Sequence, residues 1–306
     1  MRLVKPVKVN YAATGTYVSG STAPLFETGR PLWLIATAYT AGQLVSYLDS
    51  AYIALASTTG EAPNLFPLKW KRIAAVPRFK PFDGNLSDLA SLPASAFVNW
   101  YLTCAETIDT ICLLNLKADY VRIEVYDPSN ATIYTLQLNI FSREVVDDWY
   151  EYFFTPFTYQ TELLLDNIPA YSGCVIFITV SASSPAVGAV GEIVLGKTES
   201  IGDATVGGTI GIIDYSTKER DVYGNANIVL RAFARRITMP WVITGIETVR
   251  RVDNRLAELR SQATLFYTEP SDIDIGFVIL GFYNDYEITV VDRNVATASI
   301  QIEGVI

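Results

Sequence analysis

Gly191-Glu-Ile-Val-Leu-Gly196-Lys197-Thr198 carries every letter of a phosphate-binding loop. That chemistry needs a strand, a flexible loop whose amides surround phosphate, and a helix opening at the Lys-Thr pair. Here the four spacer residues are strand formers and Glu199-Ser-Ile-Gly202 is a poor start for a long helix, so a strand ending in a turn is expected. Carboxylate pairs at Asp147/Asp148 and Asp272/Asp274 have the groups for acid–base work or calcium binding. Nearness in sequence does not make two carboxylates face one another, and solvated surface acids are the expected reading. The run Asp147-Asp-Trp149-Tyr-Glu-Tyr152-Phe-Phe154-Thr-Pro156-Phe157 is dense in rings and is expected to pack the end of a sandwich or an intersubunit contact. Trp33, Tyr39, Tyr47, Tyr52 and Trp70 offer flat rings that can stack on the apolar faces of sugars. A unit of about forty residues has little aliphatic core, so some of these rings must be structural.

No histidine occurs among the 306 residues. This removes Ser-His-Asp and Cys-His catalysis, histidine-ligated metals and imidazole pH sensing. No catalytic residue, cofactor or metal is expected. With 23 basic against 32 acidic residues and a net charge of −9, a broad phosphate-binding surface is disfavoured and nucleic acid is not an expected partner. Cys104, Cys112 and Cys174 lie in apolar, strand-like surroundings without metal-ligand spacing, which predicts buried free thiols, with a disulfide as the alternative. The N-terminus lacks a basic segment followed by an apolar run, and no stretch approaches the roughly 18 apolar residues that span a bilayer. Neither export by a signal peptide nor membrane insertion is expected.

The elements that would position these groups are mostly strands. Half of the residues are apolar, which suits two or three domains with real cores. Residues 1–30 read as an N-terminal arm, with Val4, Val7 and Val9 suggesting an edge strand and Gly15, Gly20 and Pro24 a loop; it could pair with another subunit or within its own domain. Residues 31–76 form a small β unit, with Val45, Tyr47, Tyr52 and Ala54 at period-two spacing and bends at Gly42, Gly60 and Pro63. Pro77-Arg-Phe79-Lys-Pro81-Phe82 predicts a docked crossing into residues 77–198, where Val121, Ile123 and Val125 alternate with Arg122 and Glu124 and further strands follow at 133–140, 163–165, 175–180 and 193–195. An antiparallel β-sandwich is predicted there. Residues 199–306 read as an α+β domain: strands at 209–214 and 227–233 flank a turn near Tyr223, and strands at 277–282, 286–291 and 298–302 follow a helix at about 246–262. In that helix Ile246, Val249, Val252, Leu256 and Leu259 recur three or four apart. The predicted fold is mainly β, with a three-stranded module, a sandwich and an α+β domain with one main amphipathic helix.

The order Tyr39-x-x-Gly42-x-x-Val45-x-Tyr47, Tyr52-x-Ala54, Gly60-x-x-Pro63 and Trp70 resembles the chitin-binding-type carbohydrate modules of families 5 and 12. The chain departs from that pattern at Gln43, where an acidic residue is usual. Gly202 to Gly211, Ile212-Ile-Asp214-Tyr215, Trp149-Tyr-x-Tyr152-Phe-Phe154 and Gly281-Phe-Tyr283-Asn-Asp285-Tyr286 through Ile300-Gln-Ile302-Glu-Gly304 resemble tailed-phage and prophage virion proteins, which often carry such a module near their start. The resemblances imply a structural component of the virion, of the tail or tail tip, made in the host cytoplasm and assembling in multiple copies. Its implied partners are other virion proteins, copies of itself and a host-surface glycan. The alternatives are a dedicated carbohydrate-binding receptor protein or, with less support, a polysaccharide-acting enzyme.

Overall fold

Period-two alternation dominates the described residues, which in this computed structural model are 1–91, 97–142, 158–182, 188–220, 223–268, 277–292 and 294–306. Strands make up 53% and helix 6%, so the fold is mainly β with one α-helix among the described residues. The chain divides into two compact units, one formed by Val7–Val194 and the other by Met1–Pro6 with Leu195–Ile306. Asp147/Asp148, the aromatic run from Trp149 to Phe157 and Asp272/Asp274 lie outside the described residues.

In the first unit, a five-stranded antiparallel sheet runs in the order Thr132–Asn139, Tyr120–Tyr126, Val175–Ser181, Phe97–Thr103 and Tyr17–Ser21. Its pleat turns Val98, Trp100 and Leu102, Val121, Ile123 and Val125, and Ile176, Ile178 and Val180 to one face, none more than 1% exposed. The register places Ile178 between Ile123 and Trp100, so the nine side chains form continuous cross-strand rows. A second sheet, ordered Glu162–Leu165, Thr110–Leu114 and Glu192–Gly196, is buried at every position of its last two strands. The pair of sheets gives the β-sandwich-like character expected for this region. Trp100 donates its indole N–H to the Arg78 carbonyl at 3.0 Å, while the Arg78 guanidinium donates to the Ala23 and Ser21 carbonyls. With Phe79 and Pro81 buried, the 77–84 crossing is docked.

The small β module comprises the antiparallel strands Leu44–Tyr47, Ser50–Ala54 and Trp70–Ala75, beside the pair Ala38–Tyr39 and Thr58–Thr59. A tight turn at Leu48 and Asp49 joins the first two strands, with Leu48 in the left-handed region at φ 58°.

The second unit holds an eight-stranded antiparallel sheet. Thr198–Ser200, Arg2–Val4, Thr264–Thr268, Phe277–Val290, Val295–Gly304 and Phe233–Thr244 follow in order, and Asp203–Ala204 and Thr209–Asp214 both pair with the last of these. The helix Ile246–Glu258 packs Val252, Leu256 and Leu259 into a core with Trp241, Phe266 and Ile300. Tyr283 fixes the helix to the sheet by donating its hydroxyl to the Leu256 carbonyl at 2.6 Å. The apolar stripe read from the sequence is therefore the packed face, except at its first residue: Ile246 is exposed. The helix stops at 258 rather than near 262, because Leu259 closes onto the Arg255 and Leu256 carbonyls and Ser261 turns left-handed. No helix among the described residues is long and apolar enough to cross a membrane.

Three local expectations are corrected. The stretch 1–30 is divided between the two units: Arg2–Val4 lies inside a sheet, not at its edge, and Tyr17–Ser21 is a strand where a loop was expected. The two strands expected at 277–282 and 286–291 are one strand, Phe277–Val290, with a register shift between Tyr283 and Asp285. Thr209–Asp214 pairs not with 227–233 but with the start of Phe233–Thr244, and Thr217–Arg220 pairs with Ala226–Val229 beyond it. Asp214 opposes Phe233 and Thr217 opposes Val229, so the returning limb holds one extra residue between the two ladders. The two ladders form a long hairpin over residues 209–238 that a pattern search splits in the wrong place.

Candidate functional site

The five candidate aromatics of the module separate into two groups. Tyr39, Tyr52 and Trp70 are buried with Val45 and Ala54 in the module core. Tyr39 meets Trp70 edge to face, with ring centroids 5.3 Å apart and planes at 70°, a favoured aromatic arrangement. Both have their polar ends satisfied: the Tyr39 hydroxyl accepts from the Leu34 N–H at 2.7 Å, and the Trp70 indole donates to the Glu61 carbonyl at 3.0 Å. Burial raises the Tyr52 phenol above its ordinary pKa, with the Asp49 charge adding to the rise. These three rings hold the module together.

Trp33 and Tyr47 are only partly buried and pack against this core from outside. Their ring centroids are 5.1 Å apart with planes at 75°. Trp33 is fixed by its backbone N–H, which donates to the Ser46 carbonyl at 2.9 Å, while the Ser46 hydroxyl donates to the Arg30 carbonyl. The Trp33 indole Nε1 is shielded from solvent yet has no hydrogen-bond partner among the described residues. A ligand reaching this partly exposed ring would meet its apolar surface, while the indole donor itself is closed off from solvent. Around the module Leu34, Ile35, Leu65 and Leu68 are 61%, 69%, 70% and 88% exposed, so its surface is also strongly aliphatic.

Gln43 holds the turn before it. Its side-chain oxygen accepts from the Thr40 N–H at 2.8 Å, and Gly42 beside it has φ 88°.

The phosphate-loop letters fall on a strand. Glu192–Gly196 is followed by the strand Thr198–Ser200, leaving neither a loop nor a helix N-terminus at Lys197 and Thr198. Gly191 and Gly196 are required by close packing: a Cβ at Gly191 would lie 2.8 Å from the Leu86 carbonyl oxygen, and one at Gly196 would lie 2.6 Å from that of Lys5.

Glu192, within those letters, belongs to a grouping that sequence spacing could not reveal. It is 6% exposed and accepts the Gly84 N–H at 3.0 Å. Burial pushes its carboxyl up to about 9, with the Asp83 charge adding to the rise. Burial likewise raises Asp83 to about 6, against the hydrogen bond that it accepts from the Asn85 N–H. The two acids are 109 positions apart. Glu192 is enclosed by protein, so its neutral carboxyl serves the fold more readily than a substrate.

A cleft of about 380 Å³ in the second unit is lined by Lys197, Glu199, Ser200, Ile201, Arg251 and Arg255. The Arg255 guanidinium pairs with Glu199 and, at 2.8 Å, with Glu258, which neutralises its charge locally. No grouping of three or more acidic or cysteine side chains suited to hold a metal ion occurs among the described residues. Cys104, Cys112 and Cys174 are buried and free. Burial lifts the Cys112 thiol far above its ordinary range, and Cys104 is raised by its neighbour Cys174 and by burial.

A run of exposed apolar side chains also lies on the 209–238 hairpin. Ile210, Ile212, Tyr223, Ile228, Leu230 and Phe233 are 67%, 63%, 87%, 60%, 86% and 56% exposed. Thr217–Arg220 and Ala226–Val229 have no buried residue on either face. Compared with known protein families and curated proteins, the chain matches no family model and no curated protein.

Proposed function

We propose that this chain is a structural component of a tailed-phage virion, of the tail or tail tip, built into the particle in several copies alongside other virion proteins. The observation that carries the reading is the exposed apolar hairpin at residues 209–238. Apolar surface of this extent is costly in a free monomer and is relieved by burial at about 25 cal/mol per Å². The phage-like sequence signatures supply the setting, and the second unit's long antiparallel strands supply a rigid base from which such an extension can reach a neighbour. The test is quantitative mass spectrometry of particles purified from the source lysate on a density gradient. A virion component co-sediments with the particles in several copies; a chain that stays at the top of the gradient is not one.

A second reading, a dedicated carbohydrate-binding receptor protein, is favoured by the partly exposed Trp33–Tyr47 ring pair. It is compatible with the first, since a tail component can also touch host-surface glycan. Its test is retention on cell-wall polysaccharide, which must fall when Trp33 is removed.

A further inference from the structure

We infer that the 209–238 hairpin is an assembly arm that docks on the body of a second copy of this chain, which carries net negative charge. The inference rests on the multi-copy reading above and names the partner of that surface.

The first argument is stability. A two-stranded ribbon is marginal in water unless a third layer covers one face. Thr209–Asp214 leans on Phe233–Thr244 and so on the large sheet, but Thr217–Arg220 and Ala226–Val229 pair only with each other among the described residues. Their Ile228 and Val229, with Leu230 just beyond, are exposed. Ile228 and Val229 are successive in their strand and turn to opposite faces, so apolar side chains are uncovered on both faces of the ribbon, as others are at Ile210, Ile212, Tyr223 and Phe233. Apolar side chains left uncovered in this way gain by burial against a neighbour.

The second argument is charge. Residues 209–238 carry five basic and three acidic side chains, leaving 18 basic and 29 acidic on the rest; the arm is +2 and the remainder −11 within a chain of net −9. Arg220, Arg231 and Arg236 are exposed along it, while Lys218 pairs with Asp214 at 2.7 Å. Two arms laid together would repel, whereas an arm laid on the body of another copy is attracted. The contact is therefore heterologous, one copy's arm on the next copy's body, and repeats into a ring or a stack.

The test is the solution mass of the purified full chain by light scattering and sedimentation, for wild type, for Ile210→Asp with Leu230→Asp, and for Arg220→Glu with Arg231→Glu. Circular dichroism and melting confirm the fold of each. We expect wild type to associate in a concentration-dependent way at micromolar levels, the apolar double variant to be monomeric, and the charge reversal to weaken association at least tenfold. Because the apolar variant keeps its acceptor surface, adding it in small amounts to wild type should shorten the assemblies. A wild type that stays monomeric, or assemblies that both variants leave unchanged, would overturn the arm. So would a monomer that sediments with anionic vesicles, which would reassign the hairpin to a membrane surface. Particle incorporation with a monomeric chain, or normal incorporation of the variants, would remove the arm and leave the virion reading standing.

Discussion

Trp33 meets Tyr47 edge to face, ring centroids 5.1 Å apart, on the outside of a core in which Tyr39 meets Trp70 in the same manner at 5.3 Å. The two pairs look alike in sequence and differ in what they can do. The inner pair is buried and its polar atoms are satisfied; the outer pair is partly exposed, with the Trp33 indole donor turned away from solvent and unpaired.

Substitutions at the two tryptophans should therefore separate. Trp70→Ala empties the module core and is expected to destabilise it by about 3–5 kcal/mol, read by denaturant melts. Trp33→Ala should cost less than half as much and lower retention on cell-wall polysaccharide at least tenfold, read by affinity electrophoresis. Retention that survives Trp33→Ala in a folded protein would exclude this pair as a glycan site.

Much of this arrangement was legible in the sequence, because period-two alternation reports directly on the two faces of a pleated strand. Val121, Ile123 and Val125 alternate with polar neighbours and are buried, and the helix stripe at Val252, Leu256 and Leu259 is the packed one. Register was not legible. The bulge between Tyr283 and Asp285 joins two expected strands into one, and the extra residue in the returning limb of the hairpin shifts its partners. Asp83 and Glu192 meet only through the fold, so no local spacing announces them. The aromatic types in the module were readable, but which rings face inward depends on how the chain around Trp33 is pinned to Ser46.

Glu192 should give stability a pH dependence with a definite sign. Its carboxyl binds a proton more tightly when folded, at about 9, than when unfolded, near the ordinary glutamate value of about 4.3. The stability contributed by the neutral form is complete below the unfolded value and is lost as pH rises through the folded one. Asp83 acts in the same sense up to about 6. Glu192→Gln keeps an acceptor for the Gly84 N–H and cannot ionise, so it should flatten the decline and raise stability at pH 9 by at least about 1 kcal/mol. Melts from pH 4 to pH 9 measure this; equal slopes for the two proteins would contradict the buried neutral acid.

The three thiols should be inert in the folded state. All are buried and free; the thiols of Cys104 and Cys112 are held well above their ordinary pKa, and Cys174, which its hydrogen bond with Cys104 lowers, is screened from reagents by burial. Reaction with a thiol-specific reagent at pH 8 is expected to be at least a hundredfold slower than in denaturant, where three equivalents should react. Rapid modification of any one thiol under native conditions would contradict the packing around it.

The central claim is a multi-copy place in the virion, and the most direct measurement is antibody-gold labelling of particles from the source lysate, intact and after disruption. The account predicts clustered label at the tail end of intact particles, several grains to a tail. Absence of label from both intact and disrupted particles, with the same antibody recognising free chain in the lysate, would contradict it.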